Sequence, residues 1–202
     1  NALLADSSSA ASPARLLVAR DAFELAGEAV ATALAGPVAA LGETVGHSVD
    51  VEVSREGLER WLECFRMIQA FEIWRSLGAW VEETKPDLGP GIRDRLEWAS
   101  EIRADDVERE RRFRRGVVEQ LERLIGPGDV LCLPTAPGIA PLKDARAESV
   151  EVDFRNRAIS LLCTAGLGGL PQVTMPLGTL DGCPLGLSVV AARCQDLLLL
   201  RL

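Results

Sequence analysis

The spacing of apolar residues changes character along this chain. Residues 15–19 (RLLVA) form a short apolar run that predicts a strand. Residues 24–41 carry apolar side chains at helical spacing, with a break expected at Gly36-Pro37, because proline lacks the donor a helix interior needs. Val49, Val51 and Val53 alternate with Asp50 and Glu52, the period of a half-buried strand. Ser54 stands where it could cap the next helix. Leu58, Trp61, Leu62, Phe65 and Ile68 form one apolar stripe of that helix. The helical spacing continues past Trp74 and Trp80 to Lys85-Pro86, where it must stop. Gly89-Pro90-Gly91 reads as a turn and residues 92–101 as a shorter helix. Asp105 and Glu108 have the spacing of a capping box, opening a helix with Phe113, Val117, Leu121 and Leu124 on its inner face. Gly126-Pro127-Gly128 ends that helix.

Residues 129–133 (DVLCL) are then apolar without alternation, as in a strand buried on both faces, and Pro134 stops them. Asp153 is placed to cap a helix over residues 154–165. Residues 173–176 and 185–191 read as two further strands, and Leu197 opens a last helix. Residues 1–12 are small and polar, so 1–14 are expected to be a linker and 15–202 a single structural unit. Helices alternating with near-continuous apolar strands predict an α/β fold: a mixed sheet covered by helices on both faces. The strands are few and scattered, and a sheet of these alone would leave unpaired edges. The sheet is therefore expected to be incomplete in this chain, with further strands coming from sequence preceding Asn1.

Composition narrows the function classes. The net charge is −8, which opposes a phosphate backbone and argues against nucleic acid as a partner. The apolar stretch 158–171 is interrupted by Gly166, Gly168 and Gly169 and is too short to cross a bilayer, so no membrane partner is expected. Cys64, Cys132, Cys163, Cys183 and Cys194 include no C-x-x-C pair. Their odd number argues against both a disulfide framework and a zinc knuckle, and for a reducing, cytoplasmic compartment. No metal and no cofactor is expected.

Candidate chemistry is sparse. His47 lies on a glycine-flanked turn with no nucleophile-elbow spacing nearby. Lys85 and Lys143 read as surface lysines, since nothing places a serine against either. Arg109, Arg111, Arg112, Arg114 and Arg115 read as a solvated helix face with Glu108–Arg112 and Glu110–Arg114 pairs. Asp105-Asp106 suits a helix start, and Glu82-Glu83 reads as exposed. Residues 165–171 (AGLGGLP) read as a glycine C-cap followed by proline, with close approach to a ligand as the alternative. Trp61, Trp74, Trp80 and Trp98 read as core residues on helices.

Two segments together carry a resemblance: residues 129–140 (DVLCLPTAPGIA) and 154–190 (FRNRAISLLCTAGLGGLPQVTMPLGTLDGCPLGLSVV). Their order is a strand ending in a Pro-Thr-x-Pro loop, a helix, a Gly/Pro turn, then a strand ending in Pro-x-Gly. In this they resemble the C-terminal half of the amidase-signature family. Residues 71–92, centred on KPDLGPGI, resemble its indole-acetamide hydrolase-like branch. The resemblance implies part of the amidase-signature fold and hydrolysis of a small carboxamide with an apolar or aromatic acyl group. It implies a serine acyl-enzyme formed by a Ser-cisSer-Lys triad. That triad and its Gly/Ser-rich signature would lie upstream: Ser7, Ser8 and Ser9 lack the glycines, so no catalytic residue is assigned here. What carries over is a substrate pocket to which Thr135, Pro137, Gly138, Leu162, Cys163 and Ala165 contribute. Gly166 stands where the family commonly has Asn, which suits an apolar substrate. The implied partners are a small-molecule amide substrate and the missing N-terminal half, and the resemblance is compatible with a homo-oligomer. Two alternatives stay open: a non-catalytic amidase-like binding or docking module, and an inactive fragment.

Overall fold

The computed structural model describes residues 12–146 and 149–202. Residues 1–11, most of the expected linker, lie outside the described residues. Five strands form one mixed sheet in the order β2-β1-β3-β5-β4. Strand β1 (Arg15–Ala19) pairs in parallel with β2 (Ser48–Val51) on one side and with β3 (Asp129–Pro134) on the other. Strands β4 (Gln172–Leu180) and β5 (Cys183–Ala191) form an antiparallel hairpin whose β5 arm completes the pairing of β3.

Strand β3 is the centre of the sheet, and every one of its residues is buried. That explains its unalternating sequence: Val130 and Cys132 point to one face, Leu131 and Leu133 to the other, and helices cover both. The edge strand β2 is the opposite case. It ends at Val51, and Val49 is 36% exposed. Val53, expected in that strand, lies beyond it yet is buried. The chain there is turned inward by Asp21, whose carboxylate accepts the N–H groups of Val53 (3.1 Å) and Ser54 (2.9 Å).

The hairpin turn is Asp181-Gly182, both at positive φ (51° and 74°), the geometry in which the turn twist matches the strand twist. Apolar spacing predicts two separate strands over this segment; the Asp-Gly pair was the available signal that they are one hairpin. Strand β4 is also longer than expected, because an irregularity between Met175 and Gly178 lets it pass Pro176, which cannot donate to a ladder.

The helices depart from expectation at their ends. The first helical segment breaks at Gly27 (φ 95°), dividing α1 (Arg20–Ala26) from α2 (Glu28–Val45), and α2 runs straight through Pro37. The carbonyl of Ala33, which Pro37 cannot satisfy, faces Gly178 of β4, where an added Cβ would sit 3.4 Å away. The long helix α3 (Leu58–Thr84) is capped by Gly57, not by Ser54, whose hydroxyl is buried without a partner among the described residues. It ends at Lys85 in the left-handed conformation just before Pro86. Helix α4 (Pro90–Glu101) starts two residues earlier than expected, with Pro90 in its first turn, where the missing donor costs nothing. Helix α5 (Ala104–Leu124) starts at Arg103–Ala104 with no side-chain cap, so the expected capping box does not form. A π-helical turn (Ser149–Phe154) runs directly into α6 (Arg155–Gly168), leaving Asp153 no cap to make. A short α7 (Asp196–Leu200) follows the hairpin.

Helix α2 packs across β1, β3, β5 and β4, while α6 packs against α1, α3 and α5. The buried residues of α3 are concentrated in its first three turns: Leu58, Trp61, Leu62, Cys64 and Ile68. Its later turns leave Ile73, Leu77 and Trp80 exposed and pack against α4.

Candidate functional site

The loop leaving β3 stays tied to the sheet, because the Thr135 N–H donates to the Gly186 carbonyl at 3.0 Å. The Thr135 hydroxyl lies 2.8 Å from Ser188 Oγ on β5. Thr174 Oγ1, on β4, lies 2.9 Å from the same oxygen, and Gln172 Nε2 donates to it at 2.9 Å. The register pairs Ser188 with Leu133 on one side and Thr174 on the other, so these groups share one face of the sheet. Ser188 is 0% exposed, Thr135 and Gln172 are half-buried and Thr174 is exposed.

Counting protons gives this cluster a direction. A serine hydroxyl has one O–H and two lone pairs. Gln172 occupies one lone pair, so the two threonines divide the other lone pair and the proton. One threonine donates to Ser188. The other accepts from it and keeps its own O–H to donate outward. Gly186 makes the arrangement sterically possible: a Cβ there would sit 2.7 Å from Thr135 Oγ1 and 3.1 Å from Thr174 Cγ2. Ser188, Thr174 and Gln172 were not singled out in the sequence. The usable signal was a lone serine inside the apolar run of β5, since a buried hydroxyl needs partners.

The six expected pocket residues fall into different environments. Thr135 belongs to the hydroxyl cluster. Pro137 is buried and Gly138 half-buried in the loop beyond it, with open space around the glycine. Leu162 is exposed, whereas Cys163 and Ala165, on the same helix, are buried. The Cys163 thiol is hydrogen-bonded to the Ser160 carbonyl at 3.3 Å, and burial pushes its pKa up to about 12. Gly166 lies against Phe65 of α3, where a Cβ would be 3.0 Å from the ring. The glycine run ends α6 as expected: Gly169 is left-handed, and Leu170 N–H reaches back to the Ala165 carbonyl at 3.0 Å.

A cleft of about 310 Å³ opens between α3, α4 and α6, lined by Ile73, Leu77, Trp80, Trp98, Ile159 and Arg66 among others. Leu162 falls on the same helical face as Arg155 and Ile159, which line it. The tryptophans therefore divide. Trp61 is fully buried as expected of a core residue, but Trp80 and Trp98 are 49% and 38% exposed on this cleft.

The remaining candidates take structural places. His47 and Lys143 are exposed, and Lys85 is the exposed C-cap of α3. Among the described residues no hydrogen bond joins either lysine to a serine, and no group of three or more His, Cys, Asp or Glu could hold a metal ion. The arginine run of α5 does not make the expected ladder. Glu110 instead pairs across to Arg60 of α3 at 2.8 Å, Arg114 donates to the Leu167 carbonyl of α6 at 2.9 Å, and Glu108 pairs with Arg111 and Arg115.

Known proteins are similar to this chain in sequence and in fold. The chain is 32% identical to Amidase 1 of Arabidopsis thaliana over 219 residues, covering 94% of this chain and 51% of that protein. It is 30% identical to the chloroplastic outer envelope protein 64 of the same plant over 135 residues, covering 67% of this chain and 23% of that protein. Thus it spans about half the length of the first relative and less of the second. The fold superimposes on an allophanate hydrolase of Kluyveromyces lactis with a TM-score of 0.77 at 22% identity, covering 93% of this chain and 31% of that one. The family model for Amidase matches residues 81–200, more than half of the chain, and the chain belongs to this amidase-signature family.

Proposed function

We propose that residues 15–202 form the substrate-facing, C-terminal portion of an amidohydrolase that cleaves the C–N bond of a small carboxamide with an apolar or aromatic acyl group. A serine hydroxyl attacks the carboxamide carbon and the amine departs with a proton. Water then hydrolyses the acyl-enzyme to release the acid. In this reading the Ser-cisSer-Lys triad comes from polypeptide outside residues 1–202, and Thr135, Pro137, Gly138, Leu162, Cys163 and Ala165 contribute to the pocket wall. The observation that carries it is the Thr135 hydroxyl, held 2.8 Å from buried Ser188 at the end of the central strand. A hydroxyl fixed in that way can direct its O–H or its lone pair at a carboxamide without losing rotamer entropy on binding. The span of about half of Amidase 1 accords with a second half elsewhere. No described helix is long and apolar enough to cross a membrane, and the five unpaired cysteines fit a reducing compartment such as the cytoplasm. The test is labelling of the intact protein with a fluorophosphonate probe. One acylated serine outside residues 1–202 is expected, and a folded, intact protein that takes up no probe contradicts the proposal.

A second reading is favoured by one observation, the 30% identity to an outer envelope protein. It takes the domain as a non-catalytic docking module with the same fold. A silent probe combined with a folded protein supports it.

A further inference from the structure

We infer that the cleft between α3, α4 and α6 is a binding site for a small amphipathic carboxylate, an acid with an aromatic or branched apolar body, held by Arg66. Such a site is independent of the hydrolytic reading. The walls supply the apolar half of the match: Ile73, Leu77, Trp80 and Trp98 surround about 310 Å³, the lower end of the size range of small-molecule sites.

Arg66 supplies the polar half. Its guanidinium is half-buried and lines the cleft. Its polar partner is a neutral amide, Asn156 Oδ1, at 3.4 Å, and it stands 5.8 Å from the Trp98 ring. Two other arginines meet carboxylates: Arg15 meets Asp129 and Arg60 meets Glu110. Arg66 has no carboxylate among the described residues within ion-pair distance. A long amide contact and an offset ring compensate a half-buried cation weakly. A carboxylate entering beside Trp98 would meet the guanidinium fork in the bidentate geometry for which it is shaped, while its apolar body covers the tryptophans. None of the described residues lining the cleft is acidic, although the chain carries −8 overall. Arg95 and Arg155 add positive charge to the rim and have interactions of their own.

Isothermal titration of the intact protein with 4-phenylbutyrate, and with neutral 4-phenyl-1-butanol of similar shape, tests this. The acid is expected to bind about tenfold or more tightly than the alcohol, the difference one charge-assisted contact supplies. Arg66→Gln is expected to erase the preference and leave the alcohol's affinity unchanged. Leu77→Trp, at a position 45% exposed where bulk fills the cleft without disturbing the core, is expected to weaken both ligands. Equal affinities in the parent protein overturn the inference, as does a preference that survives Arg66→Gln, or acid binding untouched by Leu77→Trp. A protein that fails to react with fluorophosphonate yet binds the acid in this pattern would refute the hydrolytic reading and leave this one standing.

Discussion

Arg15, at the start of β1, grips the carboxylate of Asp129 at the start of β3 from two directions, Nε donating at 2.8 Å and Nη2 at 2.5 Å. The residues are 114 positions apart, and the pair locks the ends of two neighbouring parallel strands in register. Gly126 N–H adds a third donor at 2.8 Å.

This clamp makes stability depend on acid. The Arg15 hydrogen bond holds the Asp129 carboxyl below its ordinary range, with burial opposing and the Gly126 N–H assisting. A carboxyl depressed in the folded state contributes stability that is complete above its unfolded pKa of about 3.9 and is lost as pH falls through the folded value. Asp129→Asn is therefore expected to destabilise by about 1 kcal/mol at pH 7, a modest figure because Arg15 is half exposed. The variant and parent should converge as pH drops below about 4. Urea denaturation at pH 7, 5 and 3 measures this, and a pH-independent difference would contradict it.

Gly186 has no room for a side chain. Gly186→Ala is expected to cost about 1–3 kcal/mol, because its Cβ meets the Thr135 hydroxyl and the Thr174 methyl. Thr135→Ala removes the closer of those contacts, so the double variant should lose less than the sum of the two single ones. Thermal melts of the four proteins provide the cycle.

The cysteines divide by burial. Desolvation pushes the thiols of Cys64, Cys132 and Cys163 up to about 12, so almost no thiolate exists at neutral pH. Iodoacetamide at pH 8 should modify exposed Cys194 first and half-buried Cys183 more slowly. The three core cysteines should react only after denaturation. Mass spectrometry of peptides reads the order, and rapid native labelling of Cys163 would contradict its buried placement.

Pro37 lies inside α2 without a donor for the Ala33 carbonyl. Pro37→Ala restores that bond and is expected to stabilise the protein by about 1 kcal/mol, less than the full helix-interior penalty because the helix already runs through Pro37 without breaking. A rise in Tm checks it.

Much of the architecture was legible in the order of residues alone. β1, β3 and the long stripe of α3 declared themselves through uninterrupted or evenly spaced apolar residues, because burial on one or both faces leaves a periodic trace. Helix ends were read poorly. Ser54, Asp105 and Asp153 all stood where a cap should be, yet the ends were decided by Gly57, by an extended Arg103 and by a π-helical turn. Cap residues report a local preference worth about 1 kcal/mol, which tertiary packing overrides.

The candidate site was legible only in part. Thr135 was singled out through resemblance, but the serine that holds it stands 53 positions further along the chain. Nothing local marks Ser188 as the partner of Thr135, Thr174 and Gln172. The cleft was also invisible, because Trp80 and Trp98 sit on helical stripes that look like any other buried face.

The sequence by itself determined the family, the α/β class and the segments that must be buried, since these follow from residue type and period. Which strands lie side by side, that Arg15 finds Asp129, that the Thr135 and Thr174 hydroxyls converge on Ser188, and that Arg66 faces a cleft with no carboxylate among the described lining residues were decided by tertiary structure. The physical reason is that pairing across long separations depends on the summed packing of the whole sheet and its helices, and no residue carries that sum in its own neighbourhood.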